Sequence, residues 1–195
     1  MTLDQMKEKL QSELKPSRFK HSCGVEETAV FLANRFEVDE LQARVAGLLH
    51  DCARTFANED MQSEADKRGI SYGAVEHRMS LLLHAPLGAC LAIERYGVHD
   101  ELVLQAIARH TVGGTMMTRL DKIVYFADMI EPGRDYPGVD ELRELSRVAE
   151  LDDMLYEGLS QSISFVTAKR HMIHPATVLA RNELLLKAEV NSRSF

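Results

Sequence analysis

The chain has 195 residues, which suits a single compact domain and is long enough to bury a sizeable core. A hydrophobic fraction of 45% with a charged fraction of 27% excludes a mainly disordered protein. No apolar run approaches the roughly 20 residues that a membrane helix needs. A formal net charge of −7 disfavours nucleic acid as a partner. The N-terminal segment lacks the apolar core of a signal peptide, so a cytoplasmic location is expected.

Apolar residues recur at helical spacing along nearly the whole chain, and no run of β-type alternation lies between two turn signals. We therefore predict an all-α protein, an irregular helical bundle that forms one domain over residues 1–195. Eleven helices are expected, in chain order near residues 2–14, 17–36, 39–54, 58–68, 76–83, 86–97, 100–111, 118–131, 139–149, 151–171 and 175–190.

Capping residues and helix breakers set these boundaries. Thr2 with Gln5 and Asp39 with Gln42 have the spacing of N-terminal capping boxes. Proline fits the first position of a helix, and glycine fits the position just past a helix end. We expect the first arrangement at Pro86 and Pro175, and the second at Gly69 and Gly97.

Four histidines fall on predicted apolar stripes or at helix ends rather than in polar loops. His21 shares a helical stripe with apolar residues, which points its ring inward. His50 ends the apolar helix that contains VAGLL, and His110 closes another apolar stripe. His84 is expected just outside the helix that Pro86 begins. Any one of these rings, taken alone, has the pattern of an ordinary core histidine.

Two aspartates are more informative than the histidines. Asp51 and Asp128 lie on largely apolar predicted helices, where an uncompensated carboxylate is very costly. One cation shared with nearby imidazoles would satisfy both. Imidazole and carboxylate ligands suit iron, manganese, nickel or zinc, and they leave coordination positions for water and substrate. The composition therefore predicts a catalytic divalent transition metal.

The residues also match a known pattern. The segments HSCGVEETA, GLLHDCAR, LLHAPLGA, ARHTVG, LDKIVYFADMIEPGR and HPATVLARN, from about residue 18 to residue 182, resemble the bacterial YqeK group of the HD superfamily of metal-dependent phosphohydrolases. Members of that group are symmetrical hydrolases of diadenosine tetraphosphate and release two molecules of ADP. The six residues in the order H…HD…H…H…D are His21, His50, Asp51, His84, His110 and Asp128.

The resemblance implies a role for each of these six. His84 and His110 are expected beside the phosphate, where they would stabilise charge or protonate the leaving group, or on a second metal. Asp51 would bridge to that second metal or orient the attacking water. One ion and two ions both remain open. The residues expected to hold iron are His21, His50, Asp51 and Asp128.

An anionic substrate requires local cations despite the acidic total charge. Arg18, close to His21, and Arg54, close to the His50–Asp51 pair, are candidate phosphate ligands. Many members of the wider superfamily carry lysine where this chain has Arg54, shortly after the His50–Asp51 pair. Arginine keeps the positive charge but is a poorer proton donor, which disfavours Arg54 as a general acid.

Two further cationic candidates each have a plain alternative. Arg134 would clamp phosphate from a loop beside the metal, or it would pair with Glu131 in a surface turn. The segment KRHMIHP would bind phosphate through its cations and the free N–H groups of a helix that begins at Pro175, or it would be a solvated helix end. Its candidate ligands are Arg170, His171, His174 and Pro175.

The expected substrate is a dinucleoside polyphosphate, although no motif distinguishes adenine from guanine. Two alternatives remain. One is an HD phosphohydrolase acting on a guanosine polyphosphate, a nucleoside monophosphate or a cyclic nucleotide, and the other is a regulatory module that binds nucleotide without hydrolysis. Apolar residues around YFADMI and along the predicted helix 151–171 are expected to be exposed, which makes a homodimer a candidate assembly.

Overall fold

The computed structural model describes the backbone of residues 1–192 and the side chains through residue 189. Eleven α-helices make up most of that range: α1 (Leu3–Glu13), α2 (Pro16–Arg35), α3 (Glu40–Leu49), α4 (Met61–Lys67), α5 (Ala74–Arg78), α6 (His84–Tyr96), α7 (Glu101–Arg109), α8 (Arg119–Ile130), α9 (Val139–Val148), α10 (Leu151–Ala168) and α11 (Pro175–Ser192). Two short 3₁₀ helices, Cys52–Thr55 and Ser80–Leu83, follow α3 and α5. No strand occurs in the described range, so the predicted all-α class is confirmed.

The predicted helix boundaries are confirmed where they depend on local capping chemistry. Thr2 and Gln5 form a reciprocal capping box at the start of α1. Asp39 accepts a 2.8 Å hydrogen bond from the backbone N–H of Gln42 at the start of α3. Other boundary residues lie as expected: Gly69 and Gly97 follow α4 and α6 with φ of +66° and +69°, and Pro175 begins α11.

Two predicted helices, 39–54 and 76–83, are each interrupted in the structure. The first ends as an α-helix at Leu49, and Asp51 has φ −102° and ψ 13° before the 3₁₀ helix begins. The second is broken at Met79, with φ −128° and ψ 65°. Neighbours in a continuous helix project about 100° apart. The break at Asp51 changes the direction of its side chain relative to the ring of the preceding histidine, and both reach the same region.

The predicted start of α6 is wrong by two residues. The helix begins at His84, and Pro86 occupies its third position. The N–H groups of a first turn have no partner within the helix, so the proline ring removes no hydrogen bond there. His84 therefore belongs to the helix rather than lying outside it, and its ring is fixed by the first turn.

The main core forms where α2 packs against α3 and α8, with α6 and α7 completing it. Gly47 permits the close approach of α3 to α2, because a Cβ at this position would lie 3.0 Å from the Cα of Glu26 and 3.1 Å from the carbonyl oxygen of Val25. His50 follows Gly47 by three residues. This close packing therefore brings His50 to the face of α2 that carries His21.

A smaller core joins α8, α10 and α11. Tyr125 and Phe126 are 2% and 0% exposed, so the expectation that apolar residues around YFADMI are exposed is wrong; these side chains fill the spaces between α8 and its neighbours. On α10, by contrast, Phe165 is 60% exposed. The homodimer stays a prediction.

Among the described helices, none combines the length and the apolar character needed to span a bilayer.

Candidate metal centre

The six residues of the H…HD…H…H…D pattern meet where α2, α3, α6, α7 and α8 converge, and we call this group the metal centre. All are buried except His21 and Asp128, which are partly exposed. In chain order they lie in the second turn of α2 (His21), directly after α3 (His50 and Asp51), at the start of α6 (His84), directly after α7 (His110) and in the last turn of α8 (Asp128).

The first donor set contains the four residues expected to hold metal. His21 Nε2 lies 3.2 Å from His50 Nε2, 3.1 Å from Asp128 Oδ1 and 3.7 Å from Asp51 Oδ2. His50 Nε2 lies 3.6 Å from Asp51 Oδ2 and 3.7 Å from Asp128 Oδ1. Nitrogen and oxygen ligands about 2.1 Å from one ion stand roughly 3.0 to 3.4 Å apart. These five separations, 3.1 to 3.7 Å, lie close to the spacing of ligands on one transition-metal ion.

The second donor set uses the other oxygen of the same aspartate. Asp51 Oδ1 lies 3.2 Å from His84 Nε2 and 3.9 Å from His110 Nε2, and these two nitrogens are 3.0 Å apart. The hydroxyl oxygen of Thr111 lies 3.2 Å from His84 Nε2 and 3.0 Å from His110 Nε2. Asp51 thus joins the two sets, with one carboxylate oxygen facing each.

All four imidazoles are held in one tautomer. Each Nδ1 lies against an oxygen that can only accept: His21 against Glu131 Oε1 at 3.0 Å, His50 against the Gly47 carbonyl at 2.7 Å, His84 against the Leu81 carbonyl at 2.5 Å and His110 against the Ile107 carbonyl at 2.7 Å. In the neutral form of each ring the proton therefore resides on Nδ1, and Nε2 presents a lone pair.

The arrangement of lone pairs fits a metal. Two imidazole lone pairs at 3.0 or 3.2 Å cannot form a hydrogen bond with each other, and a cation between them removes their repulsion. Nδ1–H bonded to a carbonyl or a carboxylate is also the usual second interaction of a metal-binding histidine. The donor set of neutral imidazoles and carboxylates therefore suits one or more divalent transition-metal ions.

Burial and neighbouring charges keep His50, His110 and Asp128 in the protonation states that bind metal. The pKa of His21 is raised instead: burial lowers it, but the hydrogen bonds with the Asp128 and Glu131 carboxylates outweigh that effect. Burial, together with the nearby His50 and His84, lowers the pKa of His110 to about 3. Burial also lowers the pKa of His50. For Asp128, burial alone would raise the pKa, but the hydrogen bond with His21 and the charges of other neighbours hold it well below the usual value. The rings of His50 and His110 are neutral near pH 7, while Asp128 is ionised.

Three predicted phosphate ligands lie beside the carboxylates of the metal centre. Arg18 Nη1 donates to Asp51 Oδ2 at 2.8 Å. Arg134 donates through Nε to the backbone oxygen of Asp128 at 2.7 Å and through Nη2 to the carboxylate of the same residue. Arg54 is half-buried, and the charges of Asp51 and Arg18 act on its guanidinium group. It makes no hydrogen bond to any described residue. The expected alternative pair between Arg134 and Glu131 does not form.

The 169–175 segment has a different environment. Arg170 and His171 are exposed. The N–H groups in the first turn of α11 were predicted to be free, but His174 accepts hydrogen bonds from two of them. Its Nδ1 accepts from the Ala176 N–H at 3.1 Å, and its carbonyl accepts from the Thr177 N–H. This corrects the expectation that the start of the helix offers N–H groups to phosphate, since an imidazole at this position caps the helix itself.

The start of α11 nevertheless lies near the metal centre. Thr177 Oγ1 donates to the carbonyl oxygen of Val112 at 2.8 Å, two residues beyond His110. His174 Nε2 lies 3.0 Å from Glu76 Oε1 on α5, which ties the segment to a second helix. The structure therefore brings the end of the 169–175 segment close to the loop after α7, with Arg170 and His171 directed to solvent.

Sequence reasoning missed two residues that touch the centre. Glu131 was expected in a surface turn but is 4% exposed and contacts His21, because it follows Asp128 by three positions at the end of α8. Thr111 directly follows His110 and touches two of the rings. The i+3 spacing of Glu131 from Asp128 on a helix was a usable signal, whereas nothing in the sequence distinguished Thr111.

The comparisons with known proteins agree with this geometry. The profile of the HD domain family matches residues 18–133, more than half of the chain. The chain belongs to the HD domain family. The matched HD region begins at α2 and ends in the loop after α8, so it encloses all six residues of the metal centre and excludes α9, α10 and α11.

Relatives of this HD protein cover nearly its whole length. It is 36% identical to the symmetrical bis(5'-nucleosyl)-tetraphosphatase of Bacillus subtilis, over 90% of this chain and 94% of that one. The Staphylococcus aureus protein of the same name is 34% identical over 91% and 92% of the two chains. A crystal structure of a predicted HD superfamily hydrolase from Clostridium acetobutylicum, described as involved in NAD metabolism, matches with a TM-score of 0.91 and 40% identity, over 96% and 98% of the two chains.

Proposed function

We propose that this HD protein hydrolyses a dinucleoside tetraphosphate symmetrically and releases two nucleoside diphosphates, with diadenosine tetraphosphate as the first candidate substrate. The observation that carries the proposal is the pair of donor sets joined by Asp51, in which four Nε2 lone pairs and two carboxylates face one region. The curated relatives that share almost the whole chain are symmetrical tetraphosphatases by name.

The proposed cofactor is iron, bound as two ions. His21, His50 and Asp128 would hold the first ion, His84 and His110 would hold the second, and Asp51 would contribute one oxygen to each. When bound, a divalent ion lowers the pKa of a coordinated water and polarises a phosphoryl oxygen. Two donor sets that share one carboxylate support this stoichiometry, because an ion at each set would offset the repulsion between its two close Nε2 atoms.

The chain's own residues orient the reactants and balance the charge of the phosphates. Asp51 has an oxygen toward each donor set, so it can orient the attacking water as well as bind metal. Three guanidinium groups lie beside the carboxylates of Asp51 and Asp128, and we assign them the role of binding the phosphate chain of the substrate. They belong to Arg18, Arg54 and Arg134. Thr111 can donate a hydrogen bond beside His84 and His110, where charge develops on the leaving group.

We assign the 169–175 segment a weaker, outer role in substrate binding. Arg170 and His171 are exposed, so contact with the outer part of a long substrate is the role open to them. His174 and Pro175 shape the start of α11 through the helix cap described above. The nearness of Thr177 to the loop after α7 supports this assignment.

Product analysis tests the proposed reaction. Protein purified without oxygen and reconstituted with ferrous iron is incubated with diadenosine tetraphosphate, and the nucleotides are separated by ion-exchange chromatography. We expect ADP as the single nucleotide product. AMP with ATP, or no turnover with iron, manganese, nickel or zinc, would count against the proposal.

A substrate panel then defines the specificity. Diguanosine tetraphosphate compared with the diadenosine compound tests the preference between adenine and guanine. Guanosine polyphosphates, nucleoside monophosphates and cyclic nucleotides test the other reactions of metal-dependent phosphohydrolases. Higher kcat/KM on any of these than on every dinucleoside tetraphosphate would replace the proposed substrate while leaving the metal chemistry in place.

A further inference from the structure

Glu131 is a buried carboxylate whose contacts all lead to the metal centre or to its own loop. It is the C-terminal cap residue of α8, and 4% of its surface is exposed. Oε1 lies 3.0 Å from His21 Nδ1, and Oε2 accepts a 2.6 Å hydrogen bond from the backbone N–H of Gly133. Arg134, the nearest guanidinium along the chain, bonds to Asp128 instead. The carboxylate is therefore held by one imidazole and one amide.

Two glycines leave the space that this carboxylate fills. A Cβ on Gly24, three residues after His21 on α2, would lie 2.5 Å from Glu131 Oε2. A Cβ on Gly133 would lie 3.0 Å from each carboxylate oxygen. Gly24 lies inside a helix, where alanine is normally the better residue. Its absent side chain is explained by the approach of Glu131.

Arg143 on α9 holds the backbone on either side of this carboxylate. It donates to the carbonyl oxygens of Ile130 at 3.0 Å, Glu131 at 2.9 Å and Arg134 at 2.8 Å. Three backbone oxygens bound to one guanidinium restrict the path of the chain from the end of α8 through the loop. The position of Glu131 relative to His21 is therefore set by tertiary contacts.

We infer that Glu131 is a positioning residue for the metal centre, which fixes the tautomer and orientation of His21 and increases the basicity of its Nε2 toward a divalent metal. The inference rests on the proposed function only in taking His21 as a metal ligand. A carboxylate bonded to the outer nitrogen of a ligand histidine typically changes metal affinity by about 10- to 100-fold. Gly24 serves the same purpose, because it admits the carboxylate.

The first test compares two variants that each remove one negative charge. Glu131→Gln keeps the size of the side chain but cannot accept hydrogen bonds from both His21 Nδ1 and the Gly133 N–H. Asp135→Asn makes the same change on an exposed residue of the same loop. Titration with Co²⁺ alone, followed by visible absorption, should show a Kd weakened by about 10- to 100-fold in Glu131→Gln and unchanged in Asp135→Asn.

A double-mutant cycle shows whether Glu131 acts through His21. In a His21→Ala background, Glu131→Gln should change the Co²⁺ affinity by less than about twofold, because the ring that it positions is absent. A residue that merely supports the fold would weaken binding by the same factor in both backgrounds. Equal factors would overturn the inference.

Gly24→Ala provides a second route if Glu131→Gln folds poorly. The added methyl group should displace the carboxylate and weaken Co²⁺ binding at least about tenfold. In a Glu131→Ala background it should have little further effect, since no carboxylate is left to displace. Wild-type affinity in Gly24→Ala would contradict the inference.

The outcomes are independent of the reaction. If the wild-type protein fails to cleave diadenosine tetraphosphate but Glu131→Gln weakens Co²⁺ binding as expected, the inference stands and the proposed substrate falls. If the wild-type protein cleaves the substrate and Glu131→Gln retains wild-type Co²⁺ affinity, the inference falls and the proposed function stands.

Discussion

Histidines occupy two contrasting regions of this protein, the metal centre and the 169–175 segment. In the metal centre, each ring donates a hydrogen bond through Nδ1 to an oxygen, and the four Nε2 atoms face the other metal-binding atoms of the centre. In the segment, His174 accepts the Ala176 N–H through Nδ1 and contacts Glu76 through Nε2, while His171 is exposed. Both nitrogens of His174 are therefore used within the fold.

The contrast shows that the partner of the second nitrogen, more than the presence of the ring, decides what a histidine can do. A ring with one nitrogen bound to a protein acceptor and the other presenting a lone pair beside buried carboxylates can bind metal. A ring that caps a helix and pairs with a glutamate stabilises the fold. The following experiments test this difference, from the largest expected effect to the smallest.

Removal of the shared aspartate should have the largest effect. Asp51→Ala deletes an oxygen from both donor sets, so we expect bound iron to be lost and turnover to fall by at least about 10³-fold. Metal analysis of anaerobically purified protein, with the activity of the same sample, measures both. His174→Ala is the control from the other region and should keep its iron. If Asp51→Ala retains iron, the ligand assignment is wrong.

Loss of one ring from the second donor set should remove half of the metal. His110→Ala leaves His21, His50 and Asp128 in place, so we expect the iron content to fall from two ions per chain to one. Elemental analysis of both proteins gives the ratio. An unchanged content of one ion in wild type and variant would show that the second set binds no metal, and would assign His110 to the substrate alone.

Arg54→Ala should weaken substrate binding with little effect on the fold. This guanidinium makes no hydrogen bond to a described residue, so the folded state loses little. A charge-assisted hydrogen bond contributes about 1.5–3 kcal/mol, which predicts an increase in KM of about 10- to 100-fold. Steady-state kinetics measures it, with Arg78→Ala, an exposed arginine of α5, as the matched control. Equal KM values for the two variants would remove Arg54 from the phosphate site.

The smallest effect belongs to the 169–175 segment. His174→Ala removes the cap of α11 and the contact with Glu76, so we expect unfolding to become easier by about 1 kcal/mol. We expect kcat with iron bound to stay within about twofold. Denaturant unfolding and steady-state kinetics measure the two quantities. A large loss of kcat without a loss of stability would place His174 in the reaction and abolish the contrast between the regions.

The limits of sequence reasoning follow the range of the interactions. Caps such as Thr2 and Asp39 were predictable because their partners lie three residues away. The break at Asp51 was not, because the isolated pattern VAGLLHD continues a helix and only the packing around the centre favours a turn there. His174 was predicted to be a phosphate ligand for a related reason. Its capping bond is local, but its pairing with Glu76 joins residues 98 positions apart and could not be predicted from the sequence.

The sequence alone determined the helical class and most helix boundaries, because helical periodicity and capping depend on residues a few positions apart. The six residues that the fold brings together were grouped beforehand by the resemblance to a known family. Only the tertiary structure decided which oxygen meets each Nδ1, how Asp51 divides between two donor sets and which carboxylates the arginines contact. The contact between His21 and Glu131 joins residues 110 positions apart. Such contacts depend on how helices pack, and no local pattern records that packing.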